Sequence, residues 1–261
     1  IKQKNLVNKK QESMFINNNI DNYFSNIFSE KKNMDGWKKY NINNVNLVSN
    51  TNSIIKINSI EKKITLKAKN PSARIVFFGG KLKNWKIEFD GGISSQDYVR
   101  KKDALTGCVT FLDVEIVNLE LHLKNAKCED SINFIRSKGT LKNVEIYDSF
   151  SDGFDADFSD LKIENLIVEN AKNDCIDFSF GNYVINNIKA RDCGDKGISF
   201  GEMSKGKINE VSVSNSIIGI VSKDSSIVKI NKIFIENSEV CLAAYRKKQE
   251  FYGGMLSYYK L

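Results

Sequence analysis

The chain repeats itself about every 22 residues, and that period limits its possible folds more than any other feature. The apolar residues Val144, Leu166, Ile188, Val211 and Ile233 are spaced by 22, 22, 23 and 22. Two positions on lie Ile146, Val168, Ala190, Val213 and Ile235. Each pair reads as the inward face of a short strand, because side chains along a strand alternate between its two faces. Next comes a polar column, Asp148, Asn170, Asp192, Asn215 and Asn237, followed at once by small residues, Ser149, Ala171, Cys193, Ser216 and Ser238. Stacked Asn and Asp side chains can bridge successive levels by hydrogen bonds, and small neighbours let the chain bend tightly. Asn125 and Ala126 extend this corner one level upstream.

A second strand follows each corner: "SINFI" from 131, "GFDADF" from 153, "CIDFSF" from 175, "KGISF" from 196, "IGIVS" from 218 and "CLAAY" from 241. Two strands and a corner in about 22 residues leave no room for a crossover helix and are too regular for a sandwich. The pattern predicts an all-β protein, a single-stranded right-handed parallel β-helix whose coils stack at about 4.8 Å. The solenoid is expected over 45–261, with "NSIIKINSI" and "ARIVFF" in its earlier coils. The glycine-bearing, charged stretch "GGISSQDYVRKKDALTG" is expected to project near 90–107 as a loop. Residues 1–44 read as a cap or linker, since Ile20, Tyr23, Phe24, Ile27 and Phe28 recur at helical spacing. An amphipathic helix there would cover the open end of the core, and the tail "EFYGGMLSYYKL" would close the other end.

Composition narrows the function classes. A net charge of +7 and a pI near 9.0 favour polyanionic partners, nucleic acid or acidic polysaccharide. Aromatic platforms interleaved with basic residues are not evident, which argues against nucleic acid. No run approaches the ~18 apolar residues of a membrane span. The five cysteines form no CxxC pair, so they read as buried free thiols rather than as a disulfide framework or a metal site. The single histidine, His122 in "LELHL", alternates away from the leucines towards solvent and makes no general base by itself.

The chemistry lies in aspartates that recur with the period. "SDGFDADFS" from 151 and "NDCIDFSFG" from 173 should place Asp152 over Asp174, and Asn133, Asp155 and Asp177 in a second column, with Asp195 near the first. Carboxylates stacked roughly 5 Å apart resist ionising together, so one or more should keep its proton above the usual carboxylate range. Such pairs suit general acid and base roles. Cations fall at matching levels, Arg136 before them and Lys196, Lys223 and Lys247 after them, while Asp157, Glu202 and Tyr245 sit at strand ends where they would border a groove. Turn chemistry accounts for Asp148 and Asp192, which sit at corners. It explains little about Asp155 and Asp177, which sit within strands.

At these residues the sequence resembles the pectin-lyase-like β-helix superfamily, and most of all the polygalacturonase family of pectin hydrolases. That family carries NTD, DD, GHG and RIK motifs on successive coils facing one cleft. Asp152 falls on the aspartate of NTD, Asn173 and Asp174 on DD, Lys196 on the histidine of GHG, and Val221 and Lys223 on the arginine and lysine of RIK. The resemblance implies a cleft that acts on polygalacturonate with aspartates as acid and base. Asn173 stands where the family has its general acid, and the histidine and arginine are replaced. Calcium-assisted lyases and uronate epimerases of the same superfamily imply another arrangement. In it Lys196 or Lys223, with a depressed pKa, abstracts a proton, and the aspartates hold Ca²⁺.

The sequence therefore predicts a carbohydrate-active protein working on a linear, acidic polysaccharide by hydrolysis, elimination or epimerisation. Asp152, Asp155, Asp174, Asp177, Lys196 and Lys223 are its expected catalytic groups, and Arg136, Asp157, Asp195, Glu202, Tyr245 and Lys247 its expected substrate-binding ones. The rival reading is a polysaccharide-binding or adhesin-like module without catalysis. A secreted or surface location is compatible with either.

Overall fold

The computed structural model describes residues 37–42, 44–92 and 105–260. The helical cap expected over residues 14–30 and most of the expected projecting loop lie outside them. The described residues form a β-solenoid of about eight turns, with coils of about 22 residues and no helix. Coil stacking follows the predicted register. Val144 pairs with Leu166, Leu166 with Ile188, Ile188 with Val211 and Val211 with Ile233, all in parallel strands.

Each coil turns three corners. Along Lys138–Ser149 the alternation of buried and exposed side chains slips at Lys142 and Asn143, two successive positions that are not buried, so the strand bends there. The equivalent slip recurs at Glu164 and Asn165 and at Asn186 and Asn187. The second corner is the predicted polar column. Asp148, Asn170, Asp192, Asn215 and Asn237 all have φ between 51° and 61°, a left-handed conformation that Asn and Asp tolerate better than most residues. Their side chains form the expected ladder, with Asn170 donating to Asp148 at 2.6 Å, Asn215 to Asp192 at 2.6 Å and Asn237 to Asn215 at 3.2 Å. The third corner, again left-handed, passes through Asp113, Arg136, Phe158, Phe180, Glu202 and Asp224.

The core is a continuous apolar column along the axis. Phe77, Phe111 and Phe134 stack with ring centroids 4.7 and 4.8 Å apart, and Phe154, Phe178 and Phe200 carry the aromatic line onward.

Two expectations need correction. Ser53–Asn58, within "NSIIKINSI", pairs antiparallel with Lys63–Ala68 as a hairpin, and Val45–Ser49 pairs antiparallel with both Lys38–Ile42 and Ile75–Phe78. Parallel stacking therefore begins only with Lys63–Ala68 on Lys86–Asp90 and Ile75–Phe78 on Gly107–Leu112. Short-range alternation is the same in a hairpin arm as in a coil, so it could not distinguish them.

The cysteines are the second correction. Cys108 is bonded to Cys128 and Cys175 to Cys193, and Cys241 alone is free, exposed on the last long strand. Cys175 opens the third side of one coil and Cys193 occupies the small-residue corner of the next, 18 residues on. Ser131 and Ser149 hold the same relation two coils earlier and are joined by a 2.8 Å hydrogen bond.

Candidate active site

The third side of the coils, which includes strands Asp130–Ile135, Asp152–Asp157, Ile176–Ser179 and Lys196–Gly201, carries three rows of outward side chains. The first row is Asp130, Asp152, Asp174 and Lys196. The second is Thr110, Asn133, Asp155, Asp177, Ser199 and Val221. The third passes Asp157, Ser179 and Gly201 and continues through Lys223 and Tyr245. The strands alternate in and out, so the apolar partners Phe154, Ala156, Ile176 and Phe178 enter the core while the aspartates form a polar strip along the outer side, the trough.

In the first row Asp152 and Asp174 each cap the next coil. Asp152 Oδ1 accepts from the Asp174 backbone N–H at 3.0 Å and from Asn173 Nδ2 at 2.6 Å, and Asp174 Oδ1 accepts from the Lys196 backbone N–H at 3.1 Å. Lys196 continues the row and ion-pairs with Asp174 at 3.2 Å and, more closely, with Asp195. Asp195 itself stands beside Asn173, one position off the row where it was expected.

The second row is arranged differently. Asp155 Oδ2 accepts from Asn133 at 2.8 Å. Lys223 reaches back over two coils to bring Nζ within 3.8 Å of Asp177 Oδ2, while Asp177 Oδ1 is buried without a hydrogen-bond partner. Gly201 makes this possible, since a Cβ there would lie 2.8 Å from Lys223 Cε.

Burial, and after it the charges of neighbouring acids, raises the carboxyl pKa values above the ordinary range. Burial pushes Asp130 up to about 8, helped by the charge of Asp152. Asp152 rises to about 6 through burial and the charge of Asp174. Asp155 is held well above the carboxylate range by burial and then by Asp130, Asp157 and Asp177. Asp177 rises to about 6 through burial, held back by Lys223. Asp174 and Asp157 also rise by burial, the first opposed by Lys196 and the second by hydrogen bonds with Asn133 and Asp155. Burial disfavours the Lys196 ammonium, but Asp195 and Asp174 outweigh it and hold the proton more tightly than usual. The shift runs opposite to the depressed pKa that a lyase-like base at Lys196 would need.

Two rims bound the trough. One is the third corner, where Glu202 accepts from Ser179 Oγ at 2.6 Å and ion-pairs closely with Lys248. Asp224 Oδ1 anchors the segment that carries Lys248 by accepting from the backbone N–H groups of Lys247 and Lys248 at 2.7 and 2.8 Å. The opposite rim holds Asn173, Asp195 and Lys172, whose ammonium lies over the Phe150 ring at 5.4 Å.

Of the residues expected at the site, the structure gathers Asp152, Asp155, Asp157, Asp174, Asp177, Asp195, Lys196, Lys223 and Glu202. Arg136 sits on a corner in a two-pronged ion pair with Asp113, both contacts at 2.9 Å. Tyr245 follows Lys223 in the third row, and Lys247 contributes its backbone N–H. Asp130 was missed, although it lies one period before Asp152 in the sequence. Among the described residues no group of three or more His, Cys, Asp or Glu side chains is arranged to hold a metal ion. The Asp152 and Asp174 carboxylates are turned onto backbone N–H groups, and Asp174 also onto Lys196, so these two do not fit Ca²⁺. A groove of about 800 Å³ on another side, lined by Lys162, Lys207, Asn209, Lys229 and Tyr259 among others, gathers lysines and amides without stacked carboxyls. Comparison with protein-family models, with curated proteins and with solved structures finds no match to this chain.

Proposed function

We propose that the trough hydrolyses a linear polysaccharide, with Asp155 as proton donor to the leaving oxygen and Asp177 as the base that activates water. One observation carries this reading: two carboxyls paired in register on adjacent strands sit in opposed environments. Burial and the surrounding acids hold the Asp155 carboxyl well above the carboxylate range, whereas Asp177 faces the Lys223 ammonium, which opposes its rise. Carboxyl pairs whose environments differ in this way divide acid and base roles between them. Asp152 and Asp174 are positioning residues, since each also holds the next coil's backbone. The trough runs along the solenoid axis, a shape matched to an extended polymer.

Elimination through Lys196 is disfavoured because Asp195 and Asp174 hold its proton. The resemblance to polygalacturonases supports the class of reaction, but Asn173 donates to Asp152 and cannot serve as their general acid does. The sequence-based expectation of an acidic polymer rested on the overall charge and on the resemblance to pectin-active families. Within the trough, carboxyls outnumber ammonium groups, so an uncharged sugar unit suits the floor better than a uronate. Two buried disulfides fit a protein that works in an oxidising compartment.

The test is incubation with neutral and uronic-acid polysaccharides, reading reducing ends and the ultraviolet absorbance of unsaturated products together. New reducing ends without unsaturated products, lost in Asp155→Asn and Asp177→Asn, are expected. Unsaturated products would replace this mechanism by elimination. The backbone-capping role of Asp152 and Asp174 needs no substrate, and it favours a second reading as a non-catalytic binding module. That reading takes over if a polymer binds with no product released.

A further inference from the structure

The third corner is polar on four of its coils, through Asp113, Arg136, Glu202 and Asp224, and aromatic on the two beside the second-row pair. Phe158 and Phe180 occupy it with φ of 52° and 49°, a left-handed conformation that is uncommon for bulky side chains and costs backbone strain. Their rings stack with centroids 4.3 Å apart and planes within 9°. Phe251, from the segment anchored on Asp224, meets Phe180 edge-on at 6.3 Å. Phe180 is half-buried in this arrangement, yet Phe158 remains 57% exposed, although it directly follows Asp157 on the rim of a trough lined with carboxyls. Phe158 and Phe251 cover Phe180. Nothing comparable covers the strained, exposed ring of Phe158 on its outer side.

We propose that Phe158 is a stacking platform that holds an uncharged pyranose ring of the polysaccharide against the rim beside Asp155 and Asp157. The aromatic face is the negative side of the ring quadrupole, and the axial C–H groups of a pyranose present the complementary positive edge. The pyranose hydroxyls remain free to meet Asp157 and Ser179 in the third row. An exposed ring keeps its apolar face wet until a sugar covers it, so the contact adds affinity without any rearrangement of the rim. The inference rests on the hydrolase reading, and it names the ligand surface that the carboxyl pair alone does not specify.

The experiment is calorimetric titration of the Asp177→Asn chain, in which turnover is slowed at least about a hundredfold, with hexasaccharides of cellulose, xylan, mannan, chitin and polygalacturonate. Phe158→Asn is the informative second change, because Asn accepts the left-handed backbone and should keep the melting temperature level or higher. With a neutral hexasaccharide that binds, Phe158→Asn should weaken affinity about tenfold and Phe158→Tyr by less than about twofold. Equal affinity in Phe158→Asn overturns the platform while leaving the trough as the site. Tightest binding of polygalacturonate overturns the uncharged-sugar assignment. Absence of binding to every hexasaccharide, together with no cleavage by the wild-type chain, overturns both the platform and the hydrolase reading.

Discussion

Lys223 crosses two coils to set its ammonium 3.8 Å from Asp177, through a gap left by the missing side chain of Gly201. Its position in sequence, 46 residues beyond Asp177, gives no hint of the contact. The relation makes Asp177 the carboxyl in the second row with a cation of its own.

Removing that cation should raise the Asp177 pKa above about 6, because burial would then act with less opposition. Lys223→Met is the direct variant. Gly201→Val acts through the path, by crowding Lys223 away from its partner. Carboxyl titration by carbon NMR should move the same resonance upward in both, and an unmoved resonance would dissociate Lys223 from Asp177.

Activity should follow Asp177 on the acid side. Protonation below about pH 6 removes the base, so kcat/KM of the wild-type chain should fall as pH drops through that value. Asp152→Asn removes the neighbouring group that also titrates at about 6 while keeping the side chain's shape. It should lower turnover through positioning and leave the acid limb in place. Asp177→Asn should lower turnover by at least about a hundredfold, the usual contribution of a general base.

Stability should decline from mildly acidic to alkaline pH. Asp130 has a folded-state pKa of about 8, raised above its unfolded value, so the folded chain binds more protons between the two. Its contribution is fully present below the unfolded carboxylate pKa and is lost as pH rises through about 8. Chemical denaturation should therefore give a higher midpoint at pH 5 than at pH 9, and Asp130→Asn should flatten the difference.

Each disulfide closes a short loop, with partners 20 and 18 residues apart, and should contribute about 3 kcal/mol on the chain-entropy account. Cys175→Ser with Cys193→Ser recreates the Ser131–Ser149 pairing of an earlier coil, so it should fold with a lower denaturant midpoint. Treating the wild-type chain with reductant should lower the midpoint further, since both bridges open. An unchanged midpoint in either case would remove the bridges from the stability of the fold.

How far the sequence could be read depends on whether a relation repeats at one period. Asp155 over Asp177, the Asn170–Asp148 ladder and the row of inward aliphatics all obey it, and all were legible. Asp130 obeys it as well and was overlooked beside the more conspicuous Asn133. The disulfides join positions 20 and 18 residues apart, around a corner and into the next coil, so a search for full-period partners or CxxC pairs passes over them. The antiparallel start was illegible for another reason: an isolated strand carries its inward face but not the direction of its neighbour. Phe158 escaped notice because an aromatic beside an aspartate reads as core until the corner's left-handed backbone turns it outward.

The amide ladder at the second corner joins Asp148 to Asn170, and Asp192 to Asn215 and Asn237, each rung made by an Asn that donates to the coil before it. Duplicating an Asn-bearing 22-residue unit would bring an equivalent rung against an equivalent rung, as Asn237 already stands on Asn215. The solenoid can therefore change length in steps without rebuilding its corners, and the number of sugar units the trough accommodates would change with it, one rung at a time.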